Sequence, residues 1–177
     1  GGGAFTKSGN GTLFLGGVNT YGGGTTVSGG VLLGTTTSLQ GNIVNDATVG
    51  FSQSTDGVYA GNISGSGKLI KTGAGTVTLT GTNTYAGGTT VSGGVLLGTT
   101  SSLQGNIVNN ASVGFAQGTD GVYAGNMSGT GGLTKTGAGR VMLTGTNTYA
   151  GGTVVSGGAL FGTAESLQGN IVNNAAV

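Results

Sequence analysis

Apolar residues recur at every second position in short runs along the chain. Val77 and Leu79 do so in TVTLT, and Val113 and Phe115 in SVGFA. An apolar period of two marks a strand with one face turned inward. The runs stop after a few positions, where glycine, asparagine or serine intervenes, and no apolar stretch approaches the length of a membrane-spanning helix. The pattern predicts a chain of many short β-strands.

The runs are themselves repeated. Lys7, Lys71 and Lys135 open matching segments, as do Asn19, Asn83 and Asn147 in NTY and Ser38, Ser102 and Ser166 in SLQGNIVN, with the same offset every time. Residues 7 to 70 and 71 to 134 are identical at 48 of 64 aligned positions, which makes them copies of one unit. A third copy, 135 to 177, is incomplete, and residues 1 to 6 match the end of a preceding copy. The expected domain organisation is one continuous solenoid over 1 to 177 whose own flanking repeats are its neighbours, since terminal repeats of such arrays normally depart from the pattern.

A shorter period runs inside each copy. Phe5, Val27, Val49, Leu69, Val91, Val113, Leu133, Val155 and Val177 follow in steps of 22, 22 and 20. Tyr21, Ile43, Ile63, Tyr85, Ile107, Met127, Tyr149 and Ile171 form a second strip, and Leu15, Leu39, Tyr59, Leu79, Leu103, Tyr123, Leu143 and Leu167 a third. Three apolar strips, each filled once per coil, predict an all-β fold: a right-handed, single-stranded parallel β-helix (β-solenoid) with about three rungs per repeat. At about 4.8 Å per rung, roughly eight coils make a rod about 40 Å long. In this register Val91 stacks between Leu69 and Val113.

Tight corners between parallel strands need residues that tolerate positive φ. SGG, AGG, TDG, VNN and KTGAG are the corner candidates. Asn19, Asn42, Asn62, Asn83, Asn106 and Asn126 are placed to form an amide ladder across neighbouring rungs. The outward strand positions, largely Thr, Ser, Gly and Asn, predict a flat polar surface, with Thr89 and Thr90 both facing out.

Composition narrows the function classes. Only 5% of residues are charged, and the net charge is +1, carried by Lys7, Lys68, Lys71, Lys135 and Arg140 against four acids. That is no basic stripe, so nucleic acid is not an expected partner. The chain has no Cys, His or Trp. Thiolate and imidazole metal sites and Ser-His-Asp chemistry are thereby excluded. Asp56 and Asp120 in TDGVY read as turn residues, Asp46 becomes Asn110 and Asn174 in later copies, and Glu165 has no counterpart. Acids one repeat apart lie about 14 Å from each other on three rungs of about 4.8 Å, too far for a glycosidase pair. GSGK at 65 to 68 lacks the upstream glycine and following Ser or Thr of a phosphate-binding loop. Sequons at Asn10, Asn62 and Asn126 read as structural asparagines. No catalytic, cofactor-binding or metal-binding residue is expected, and no cofactor.

The segments ISGSGKLIKTGAGTVTLTGTNTYAGGTTVSGGVLLG and MSGTGGLTKTGAGRVMLTGTNTYAGGTVVSGGALFG resemble the passenger-associated transport repeat of bacterial autotransporters, the type V secretion family. The stretch between them is similar to the spacer of such arrays. The resemblance implies a non-catalytic β-helical passenger displayed outside a Gram-negative cell, exported through an outer-membrane barrel that is not in this chain. The expected role is a rigid stalk or adhesive surface whose stacking assists secretion, without membrane insertion by this segment. The alternative is a solenoid that self-associates, end to end or laterally, into filaments, matrix or cell-cell contacts.

Overall fold

The computed structural model describes residues 1–175; Val177 of the first strip lies outside them. Within that range the chain is all strand, bend and turn, and every strand pairing is parallel. Each coil visits three faces in a fixed order. On the first face Phe5–Lys7, Thr25–Val27, Ile43–Asn45 and Ile63–Ser64 pair in succession. The second carries seven strands from Thr12–Phe14 to Met127–Ser128, and the third seven from Gly57–Tyr59 to Ile171–Asn173. Gly121–Tyr123, Arg140–Leu143 and Ala159–Phe161 resume the first face beyond an irregular stretch.

The residues named as inward are inward along the middle of the rod, while Phe5, Leu15, Tyr21 and Leu167 near its ends are only partly buried and Ile171 is exposed. Val27, Val49, Leu69, Val91, Ile43, Ile63, Tyr85, Leu39 and Leu79 are all buried, as are Val113, Leu133, Ile107, Met127 and Leu103 among their counterparts one copy on. Each such side chain withdrawn from water contributes about 1.5–3 kcal/mol. Leu32, Phe51, Val77, Leu96, Phe115 and Val141 complete the interior and had escaped the three strips.

The stacking register differs from the expected one. On the second face the partners run Leu13, Leu32, Val49, Leu69, Thr89, Ile107, Met127, and hydrogen bonds carry the same column on to Asn147 and Ser166. The eight steps of this column, from position 13 to position 166, average close to 19 rather than 21. Val91 therefore lies between Lys71 and Asn109, not between Leu69 and Val113. The apolar strips hold across their 20-residue steps, as in Ile43 on Ile63, Val49 on Leu69 and Tyr59 on Leu79, and fail across the longer ones, where unlike residues stack: one column reads Gly34, Phe51, Lys71, Val91, Asn109.

Coils of this length do not divide the repeat evenly. The second-face partners Leu32, Val49, Leu69, Thr89 and Ile107 have their equivalents one copy later, Leu96, Val113, Leu133, Thr153 and Ile171, in register on the third face. Phe5, Thr25, Ile43 and Ile63, one copy earlier than Leu69, Thr89, Ile107 and Met127, are in register on the first. One copy thus occupies about three coils and a further third, and each successive copy moves to the next face.

Corners also split from expectation. Gly30, Gly73, Gly88 and Gly94 hold positive φ as SGG, KTGAG and AGG required, but no other residue type among the described residues does, and Gly57 and Gly121 of TDG do not. The aspartates and asparagines at corners work through their side chains instead. Asn42 Oδ1 accepts from the Asn62 N–H and Asn62 Oδ1 from the Thr82 N–H, both at 2.9 Å; Asn106, Asn126 and Thr146 repeat this. The asparagine ladder exists there as side chain to backbone, one rung to the next.

Asn83 and Asn19 stand apart from that ladder. Buried Asn83 accepts the Ile63 N–H on Oδ1 and donates from Nδ2 to the Ser102 carbonyl, each at 2.7 Å. Asn147 does the same between Met127 and Ser166, and Asn19 donates to Ser38. The Asn83 and Asn147 amides bridge the rungs above and below, on a face where the strand ladder is interrupted. Ser38, Ser102 and Ser166 hold the adjoining turns, each Oγ accepting an N–H three positions back at 2.6–2.7 Å. Replacing Asn83 with Leu strands a buried N–H and a carbonyl, and should cost about 2–5 kcal/mol. Removing the exposed acceptor by Asn62→Ala should cost about 1 kcal/mol or less. Urea midpoints check the order; equal costs would contradict the bridging role.

Candidate functional site

The strongest concentration of polar chemistry is a buried ammonium repeated in every copy. Lys71 leaves a strand between Phe51 and Val91, and its stem is enclosed by the core. Its Nζ then turns into the KTGAG corner and donates to the carbonyls of Thr72, Gly73 and Gly93 at 2.9, 2.8 and 3.0 Å. Lys135 makes the same three bonds to Thr136, Gly137 and Gly157, and Lys7 to Ser8, Gly9 and Gly29. Gly73 and Gly94, with positive φ, turn the corner so that these oxygens converge.

Three of the five cations counted in the net charge are therefore interior fasteners. Burial lowers the affinity of Lys71 for its proton, with Asp56 opposing weakly, and burial lowers that of Lys135. Three carbonyl dipoles take the place of a counter-ion. A lysine so engaged uses all three donors, two on its own corner and one on the SGG corner of the next coil, and has none left for a substrate.

The acids are dispersed and structural. Asp56 Oδ1 accepts the Thr76 N–H at 2.7 Å, a bond that holds its carboxyl below the usual range, and Asp120 accepts the Arg140 N–H at 2.9 Å. Asp46 and Asn110 accept from Ser66 and Thr130 at 3.0 and 3.3 Å, which explains why either residue serves at that corner. Left-handed backbone, the expected reason, plays no part. Asp56 and Asp120 precede strands on different faces, the third and the first. Glu165 sits exposed in a turn. Among the described residues no three metal-ligating side chains come together.

The remaining buried polar groups also serve the stack. Tyr85 and Tyr149 hydroxyls pair with Thr89 and Thr153 at 2.8 and 2.7 Å, so Thr89 points inward and only Thr90 outward. Tyr59 and Tyr123 donate to the carbonyls of Gly41 and Gly105, one coil away. Gln53 and Gln117 brace the Thr36 and Thr100 backbones at 3.0 Å. No buried side-chain nitrogen or oxygen among the described residues lacks a partner.

The outer surface is less polar than expected. Phe14, Val58, Val122, Met142 and Phe161 are all exposed. Val122, Met142 and Phe161 adjoin on the resumed first face, where Arg140 sits 5.9 Å above the Phe161 ring and 3.8 Å from Asp120. Three of these positions belong to the third copy's departures from the repeat: Arg140, Met142 and Phe161 replace Thr76, Thr78 and Leu97.

The passenger-associated transport repeat family matches at residues 5–33, 69–97 and 133–160. Each match begins just before the lysine fastener and reaches the inner leucine strand of the next coil. This chain is a segment of autotransporter passenger repeats. It is also similar to the Adhesin BmaC autotransporter of Brucella suis biovar 1 (strain 1330), 39% identical over 157 residues, which is 86% of this chain and 4% of that protein. The chain spans only that small fraction of the relative's length. No solved structure matches it. The fastener and Asn bridge of the passenger repeat, and the turn serine beyond each match, were visible as repeated letters. Their roles were hidden, because a recurring Lys, Asn or Ser does not reveal which carbonyl it reaches.

Lys71→Met keeps the stem and removes the three donors. The passenger segment should lose about 3 kcal/mol of stability, the cost of stranding polar groups at a partly enclosed corner. Lys68→Met, on an exposed side chain of the same strand, should change it by under about 0.5 kcal/mol. Chemical denaturation of both variants checks this, and matched midpoints would remove the fastener from the account.

Proposed function

We propose that this segment is a non-catalytic structural part of a surface-displayed passenger, a rigid stalk or adhesive surface whose coil-by-coil stacking assists outward secretion. The observation that carries the reading is the use of the polar residues. Lys71, Asn83, Asp56 and Tyr59 are each spent on a carbonyl or N–H of their own or the neighbouring coil, and so build the rod. The repeat family and the adhesin relative support placement at the cell surface or outside the cell. Tethering at the outer membrane is part of the proposal and would come through another region of the passenger.

The mechanism follows from the composition and the ladder. A chain without cysteine and with few charges crosses a narrow pore unfolded at low cost. Once outside, each coil docks on the one before, and its hydrogen bonds must be broken for the chain to slip back. Adhesion, in this reading, belongs to the outer residues, which can vary without disturbing the interior. The sixteen differences between the first two copies lie almost wholly at outer and corner positions; the exceptions are Ile63 against Met127, both buried, and Val77, buried where its counterpart Leu13 in the first coil is exposed. The neighbours such a column calls for are further copies of the same repeat.

The test uses a full-length passenger carrying this segment, with the rate of surface appearance measured in intact cells. Asn83→Leu and Lys71→Met should slow display several-fold, while Thr26→Ala and Asp120→Asn should leave both display and adhesion per displayed molecule unchanged. Full-rate display of the interior variants would overturn the secretion role. Loss of adhesion by Asp120→Asn at unchanged display would reveal a carboxylate site and overturn the purely structural reading.

A further inference from the structure

The mismatch between the length of a coil and the length of the repeat has a consequence for how the surface is presented. Thr26, Thr90 and Val154 occupy the same position in three successive copies, and they lie on the first, second and third faces respectively. The Asn bridge moves in step: Asn19 spans a break on the third face, Asn83 on the first and Asn147 on the second. So does the lysine fastener, with Lys7, Lys71 and Lys135 on successive faces.

We infer that the array is a three-fold screw: each copy advances about 16 Å along the axis, turns by one third of a revolution, and the fourth copy faces the same way as the first, ten coils and about 48 Å further on. The interior is blind to the rotation, because over ten coils every face receives every residue of the repeat. The outer surface is not. Each substitution peculiar to one copy appears on one face only, Arg140, Met142 and Phe161 beside Val122 on the first and Val154 on the third. At that level the other two faces are built from different parts of the repeat. A partner lying along one side of the rod therefore meets equivalent surface from every third copy, whereas a partner or layer surrounding the rod meets all of them. Tandem near-identity of sequence thus does not give a tandem row of sites. It gives three rows, each with a spacing three times the sequence repeat.

The geometry is testable by pairwise spin-label distances, since the chain has no cysteine of its own. Thr84 lies on the first face three coils from Thr26, through Val44 and Ser64, and Thr90 lies on the second face one full copy from Thr26. Thr26, Thr84 and Thr90 all point outward, which keeps the labels out of the core. In the Thr26→Cys/Thr84→Cys variant the backbone separation is about 14 Å, three rungs along one face. In Thr26→Cys/Thr90→Cys the separation is longer, because the second label sits around the corner of the prism. A screw of three and one-third coils thus gives a shorter 26–84 than 26–90 distance. A solenoid with three coils per copy reverses the order, placing residue 90 directly in line with residue 26 and residue 84 off that face. Equal or reversed distances overturn the inference, and folding of each labelled variant is verified by its unlabelled melting midpoint.

Discussion

The whole structure depends on one constraint: a strand in this fold has its backbone donors and acceptors satisfied only by the coils above and below. An unpaired N–H or carbonyl left away from water costs as much as a lost hydrogen bond or more. Where the ladder is regular the backbone meets the need by itself. Where corners and turns interrupt it, side chains stand in. Asn83 replaces a strand on an interrupted face, Lys71 gathers the carbonyls of a corner, and Asp56 and Asn62 each reach one coil forward to a backbone N–H. The scarcity of charge follows from the same source. Polar residues are retained where a rung needs them, and apolar ones fill the rest of the interior.

That division explains how a nearly repeated sequence can be rigid inside and variable outside. The interior tolerates exchange between residues of similar size, as between Ile63 and Met127, both enclosed. Outer positions accept Phe14, Thr78 or Met142 at one place in the repeat. Gly50 and Gly114 show where even the outer surface is constrained: a Cβ there would fall 2.5 and 2.4 Å from the Leu33 and Leu97 side chains that fold across them. A passenger segment built this way has a surface that changes without loss of the core.

Much of this was legible in the letters. Alternation identified the strands, and recurrence of one long unit, with similarity to the passenger repeat, identified the architecture and its family. The inward residues were found because burial selects apolar side chains whatever their partners. Register was another matter. Assuming that valine stacks on valine gave steps of 22, 22 and 20, while the chain stacks Lys71 on Phe51 and Asn109 on Val91. A polar residue that turns back to its own corner leaves the same mark in a sequence as one that faces water. Thr89 was accordingly read as facing out, Lys71 entered only the count of charges, Asn83 was grouped with the corner ladder, and Asp120 was given a backbone reason where its carboxylate oxygen supplies the reason.

The most direct test of the coil length is the proton contact map around Val91 in solution. Backbone contacts observed by nuclear magnetic resonance should connect Val91 to Lys71 on one side and to Asn109 on the other, with Thr89 joined to Leu69 and Ile107 in the same ladder. Contacts from Val91 to Leu69 and Val113 in their place would restore a longer coil and three whole coils per copy, and would contradict the account of the fold given by the lysine and asparagine bridges.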